Sequence, residues 1–208
     1  MAAARETVSK LSTLSIEREL FHYFSGQAAR SMDSVDSFET VSRAAATDYL
    51  TGLKNRGAFD GALDSEILRV KRAGALGLVL IDIDDFKSIN TNYLWMQGDR
   101  VLREVGQVLR ETSRDVDHSA RFGGEEFALL LPATDLEGAF NAAERVRHKL
   151  GALRIPLLNG SGVMQITVSC GVAAVPSTPA DTTALVLAAE RALDEAKTSG
   201  KNKTVRAR

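Results

Sequence analysis

The residues with most capacity for chemistry are carboxylates in two short stretches. Asp82 lies at the end of the run Leu76-Gly-Leu-Val-Leu-Ile-Asp-Ile83, and Glu125 and Glu126 follow the pair Gly123-Gly124. A nearly continuous apolar run of this length reads as a buried central strand. A carboxylate at its end is costly unless it is paired or bound to a cation. Carboxylate oxygens with no histidine or cysteine cluster nearby suit a hard ion such as Mg²⁺. Asp82 together with Glu125 therefore reads as a metal-binding pair, whereas Asp84 and Asp85, taken alone, read as solvated acids of the following loop.

An anionic ligand needs donors as well. A helix starting near Phe86-Lys87 offers free backbone N–H groups and the positive end of its dipole. Lys87 adds a point charge, and Lys197 and Lys201 supply two more near the C-terminus, although each taken alone is an ordinary surface lysine. No Walker A loop occurs, which excludes a P-loop enzyme. His22, His118 and His148 have no nucleophile motif around them, which removes a Ser-His-Asp hydrolase.

Positioning these groups requires alternating helices and strands. Helical patterns cover Arg56–Arg72 with Asn55 as N-cap and Gly74 as stop, then Lys87–Tyr93, Asp99–Arg114, Leu136–Leu153 and Asp181–Thr198, with Gly200 ending the last. Strand-like runs span His118–Phe122 and Glu126–Leu131. The Gly123-Gly124 pair between them predicts a tight primed hairpin with positive φ. Val163–Val175 reads as one bent strand or a hairpin, and Val205 as part of a last short strand. Cys170 sits in that strand-rich stretch as a small core residue.

Residues 1–46 differ. Leu14, Phe21, Ala28 and Val35 recur every seven residues, a helical period, with Phe24 and Phe38 on a neighbouring track that Ser31 breaks; Gly26 and polar residues interrupt the seam. The segment packs as a helix on its own domain or acts as a dimerising stalk, and the second reading is slightly favoured.

The chain has 208 residues, 44% hydrophobic and 25% charged, with a net charge of −1. That is the composition of a soluble globular protein with no overall attraction for nucleic acid or anionic lipid. One cysteine permits no internal disulfide, no apolar stretch is long enough to cross a bilayer, and Met1-Ala-Ala-Ala-Arg5 lacks a signal-peptide core, so a cytoplasmic protein without membrane contact is expected.

Four segments resemble the motifs of one family, in that family's order. Asp48-Tyr-Leu-Thr-Gly-Leu-Lys-Asn-Arg56 is similar to the D-x-L-T-G-L-x-N-R entry signature of the GGDEF domain. Asp82-Ile-Asp-Asp-Phe-Lys-Ser-Ile-Asn90 resembles its D-x-D-x-F-K-x-x-N segment, Arg121-Phe-Gly-Gly-Glu-Glu-Phe127 carries the GGEEF form of the name-giving motif, and Ala196-Lys-Thr-Ser-Gly-Lys-Asn202 resembles the closing segment. The resemblance implies an α/β (α+β) domain over residues 47–208, with a mostly antiparallel five-stranded sheet flanked by helices in the palm-like manner of nucleotidyl cyclases. It also implies a diguanylate cyclase that condenses two GTP into cyclic di-GMP as a homodimer.

On this resemblance Asp82, the Ile83 carbonyl and Glu125 would hold Mg²⁺ or Mn²⁺, and Glu126 would help deprotonate the attacking 3′-hydroxyl or contribute to metal binding. Phe86, Lys87, Gly123, Gly124, Lys197 and Lys201 would receive the phosphates, and Asn90 and Asp99 would read the guanine edge. Arg114-Asp-Val-Asp117 has the form R-x-x-D at the position of a family product-inhibition site, with Arg145 as a secondary contact; outside that position it would read as a helix-end salt bridge.

Between Asn90 and Asp99 the sequence departs from the family pattern. Thr91 replaces an acid and Leu94-Trp95 replaces Gly-His. Leu94 could reshape a turn. Trp95 could anchor a core or interface, the favoured reading, or could crowd or stack at the base pocket. The competing functional reading is a catalytically weak domain that binds GTP or cyclic di-GMP and signals by contact.

Overall fold

The apolar run of β1 (Leu76–Ile83) is buried at every position and forms the middle of the sheet. In the computed structural model, which describes residues 46–208 apart from 71–73, 94, 159 and 161, the chain continues through eleven further elements. Helix α1 (Arg56–Val70) precedes β1, and α2 (Phe86–Tyr93) and α3 (Trp95–Thr112) follow it. Then come β2 (His118–Arg121), β3 (Glu126–Pro132), α4 (Leu136–Ala152), β4 (Ile155–Pro156), β5 (Val163–Met164), β6 (Val168–Val175), α5 (Thr182–Thr198) and β7 (Thr204–Arg206). The five-stranded sheet has the order β2-β3-β1-β6-β7, antiparallel except for the β6–β7 pair. The expected mixed α/β architecture is present, and none of the described helices is long and apolar enough to cross a membrane.

Strand alternation divides the core. Val79, Ile81 and Ile83 face one cluster with Val101, Val105 and Leu109 of α3 and Val146 and Leu150 of α4. Leu76, Leu78 and Leu80 face the other, with Phe59 and Leu63 of α1 and Leu185, Ala189 and Leu193 of α5. Asn55 caps α1 by accepting from the Ala58 N–H at 3.0 Å, and Asp181 caps α5 by accepting from Ala184 at 2.9 Å.

Three expectations need correction. The Val163–Val175 stretch is neither one bent strand nor a hairpin on itself. Its first part, β5, pairs with β4 in a separate two-stranded sheet, and only β6 joins the main sheet. Helix α3 begins at Trp95 rather than Asp99, and within the added turn Gln97 is buried, its Oε1 accepting from the Leu158 N–H at 3.0 Å. Gly123 and Gly124 are outside the positive-φ residues. Phe122 N–H and Gly123 N–H both donate to the Glu126 carbonyl, at 2.8 and 3.2 Å, so Gly123, Gly124 and Glu125 form a longer loop than a two-residue primed turn. The expectations for residues 1–45, for Arg72 and for Leu94 lie outside the described residues.

Candidate nucleotide and metal site

Pairing with β3 sets Asp82 opposite Glu126, and the Ile83 N–H lies 3.4 Å from the Glu125 carbonyl oxygen. The strand end and the hairpin tip therefore meet. On the other flank, Lys197 Nζ at the end of α5 donates to Asp82 Oδ2 at 2.7 Å. Burial pushes the Asp82 carboxyl up; Lys197 pulls it down, and the nearby Glu126 and Asp84 carboxylates push it up again, with a raised value as the net result. Negative groups have been gathered around a half-shielded carboxylate that one lysine does not fully compensate.

Asp84 is not the solvated loop acid expected from its position. It is buried and accepts from Thr167 Oγ1 at 2.7 Å, Ser169 Oγ at 2.7 Å and the Asn202 N–H at 3.0 Å. It ties the end of β1 to β6 and to the C-terminal loop. Asp85, exposed at φ 56°, pairs with Lys201 Nζ at 2.6 Å. Lys197 and Lys201 thus reach the site through Asp82 and Asp85.

The C-terminal loop has a second anchor that sequence reasoning missed. Glu144 on α4 accepts from Arg147 Nε at 2.7 Å and from Thr204 Oγ1 at 2.6 Å, while Arg147 Nη1 donates to Asn202 Oδ1 at 2.8 Å. The Arg147 hydrogen bond, opposed by burial and helped by Thr204, holds the Glu144 carboxyl down at about 2, against an ordinary 4.5. A depressed carboxyl stabilises the fold above its unfolded value and loses that contribution as pH falls toward the folded one. Glu144→Gln should cost about 1 kcal/mol at neutral pH after solvent screening. The deficit should shrink between pH 4.5 and 2, as read by melting temperature against pH.

A cavity of about 380 Å³ opens beside the strand end, between α2, α3 and the hairpin. It brings together Phe86, Lys87, Asn90, Asp99, Gly124 and Glu125 from the expected site. Asp82, Glu126, Gly123, Lys197 and Lys201 do not line it. A larger opening of about 710 Å³, with Arg147 and His148 on its wall, contains none of Asp82, Glu125, Asn90 or Asp99.

Two further residues shape the smaller cavity. Arg121 donates from Nε and Nη2 to the Gly124 carbonyl at 3.0 and 2.7 Å and from Nη1 to Asp48 Oδ2 at 3.2 Å, so the first motif holds the hairpin tip. Burial pushes Asp48 up, but bonds from Thr51 and Arg121 outweigh it and keep the carboxyl below its ordinary value. Gly98 is the other. A Cβ there would run into Asn90 Oδ1 and come within 3.2 Å of Phe86 Cζ. Asn90 Oδ1 is itself buried without a hydrogen-bond partner among the described residues. Gly98→Ala should displace Asn90 from its present rotamer and cost about 2 kcal/mol of stability by overpacking, as read by chemical denaturation.

Of the two parts of its favoured reading, core or interface anchor, the core part is excluded for Trp95. It is 78% exposed and lines the cavity instead of anchoring a core. At the candidate inhibitory site, Arg114 Nη2 donates to Asp117 Oδ1 at 2.6 Å and to Thr134 Oγ1 at 3.0 Å, forming a helix-end pair whose arginine stays half exposed. Arg145 is exposed on α4. Burial pushes the Cys170 thiol up to about 12, so it is an inert core group as expected.

Among the described residues, no three acidic, histidine or cysteine side chains form a ready metal cluster. The raised Asp82 carboxyl beside Glu126 and Asp84 fits a position where a divalent cation would be welcome.

A family model described as the diguanylate cyclase GGDEF domain matches residues 45–203. The chain belongs to the GGDEF family. It is 38% identical over 162 residues to the response regulator PleD of Caulobacter vibrioides, covering 77% of this chain and 36% of that protein. It is likewise 38% identical over 191 residues to the diguanylate cyclase DgcP of Pseudomonas aeruginosa, covering 86% of this chain and 28% of the relative. The chain thus spans about a third of the length of these relatives. The crystal structure of the GGDEF domain of DgcB from Caulobacter crescentus, in complex with c-di-GMP, superposes with a TM-score of 0.75 at 31% identity, covering 78% of this chain and 93% of that one. In this GGDEF domain the name-giving segment forms the loop between β2 and β3 and the first residues of β3, and the Glu125 backbone carbonyl faces the Ile83 N–H.

Proposed function

We propose that this GGDEF domain is a diguanylate cyclase that joins two GTP into cyclic di-GMP. The observation that carries the reading is the meeting of the Asp82 strand end with the Glu125-Glu126 hairpin tip, beside a cavity lined by Asn90 and Asp99. In each half-reaction a 3′-oxygen forms a bond to the α-phosphorus of the partner GTP, the α–β phosphoanhydride breaks, and pyrophosphate and the hydroxyl proton leave. Two such steps close the ring and release two pyrophosphates.

Asp99 accepts from the guanine N1–H and N2–H₂, a donor pair that adenine lacks, and Asn90 completes the edge. Gly124 presents open space where a side chain would stand, leaving room for phosphate against the backbone. Lys87, Lys197 and Lys201 neutralise the phosphates, the last two by swinging from Asp82 and Asp85. Glu126 takes up the 3′-hydroxyl proton. Asp82, the Ile83 carbonyl and Glu125 would hold Mg²⁺, which supplies charge stabilisation on the transferring phosphoryl group.

One domain holds one GTP, so two domains must face each other, and residues 1–46 raise the local concentration of the second copy. Cyclic di-GMP binds back at Arg114 and Asp117 with Arg145, where arginine clamps guanine or phosphate edges.

Incubation of the purified chain with GTP and MgCl₂, followed by chromatography, should yield cyclic di-GMP and two equivalents of pyrophosphate. Chelation should stop it, ATP should not substitute, and added product should inhibit the native protein but not Arg114→Ala. GTP binding without any cyclic product would favour the contact-signalling reading instead.

A further inference from the structure

We infer that Trp95 is the stacking surface for the purine base, covering the face of the ring whose edge Asn90 and Asp99 bind. The inference rests on the GTP reading and specifies one contact within it.

Trp95 is left 78% exposed on the wall of the cavity. Trp95 opens α3, and Trp95, Asp99 and Leu102 stand at i, i+4 and i+7, the spacing of one helix face. All three line the same cavity. On α2, Phe86 and Asn90 repeat the i, i+4 spacing and line it from the other side.

A bound base requires in-plane partners for its edge and contact for its flat faces. Asn90 and Asp99, both lining the cavity, supply the first. For the second, Phe86 and Leu102 are already buried in the protein, at 7% and 3% exposure. Trp95 is the aromatic lining residue with its faces still accessible. Stacking is indifferent to base identity because every base has a π face, so Trp95 sets affinity while Asp99 sets the choice of guanine.

Trp95 is the sole tryptophan in the sequence, so its emission reports this contact directly. The full chain is titrated with α,β-methylene-GTP and Mg²⁺, which cannot turn over, and followed by tryptophan fluorescence and calorimetry in parallel. A saturable change in emission with the calorimetric midpoint is expected. Trp95→Ala should raise KM for GTP about tenfold with kcat nearly unchanged, Trp95→Phe should recover most of the loss, and preference for GTP over ATP should stay constant in both. Emission that ignores the analogue while calorimetry records binding overturns the stacking role, as does a Trp95→Ala enzyme with native KM. Both results leave the cyclase reading intact. Absence of analogue binding together with absence of cyclic product overturns both.

Discussion

Asp82→Asn is expected to lower the rate of GTP condensation by about 10³-fold or more while the melting temperature moves by only a few degrees. The asparagine keeps the shape and one acceptor oxygen but removes the charge that a divalent cation needs. About 4 kcal/mol of transition-state stabilisation is at stake in a factor of that size. Stability should respond weakly because two effects oppose each other. Lys197 loses its 2.7 Å partner, which is unfavourable, and a buried carboxylate beside Glu126 and Asp84 disappears, which is favourable. Product formation by chromatography and thermal unfolding of the same sample check both halves. A variant retaining native turnover would remove Asp82 from the metal site.

Gly171→Val is expected to be the most damaging single change to the fold. Gly171 lies in β6, directly under α5. A Cβ there would stand 2.8 Å from Leu193 Cα and nearer still to the Ala189 carbonyl oxygen and the Leu193 nitrogen. These are backbone atoms of a helix and cannot rotate aside. Overpacking of this kind costs about 3 kcal/mol or more, since the whole helix must lift from the sheet. For a domain of this size the melting temperature should fall by roughly 10 °C. Activity should fall as well at temperatures where the variant remains folded. Lys197 sits in the last turn of α5, and a displaced helix carries its ammonium away from Asp82. Chemical denaturation and turnover below the transition separate the two effects. A variant as stable as the native chain would show that α5 rides on β6 less tightly than the backbone contact implies.

Much of this protein was readable in order along the chain. β1 announced itself because an unbroken apolar run has no other stable place, and its alternating residues serve two cores at once. Asn55 and Asp181 marked helix starts because a side-chain oxygen beside orphan N–H groups acts within three residues. Family motifs named the carboxylates, the glycines and the Asn90–Asp99 pair for the same reason: these signals are local, carried by residue type and short spacing.

What the tertiary structure decided involves partners far apart in sequence. Asp84 looks like a loop acid until Thr167, Ser169 and Asn202 arrive around it. Arg121 matters through Gly124 and Asp48, Gly98 through the space Asn90 occupies, and Glu144 through Arg147 and Thr204. Gln97, in the first turn of α3, is buried through its contact with Leu158. Trp95 read from its neighbours as a core or interface anchor and instead lines the cavity, because burial is a property of what packs against a side chain. Residue types and short spacings determined which groups can do chemistry here; the long-range packing of β1, the hairpin and α5 decided which of them stand together.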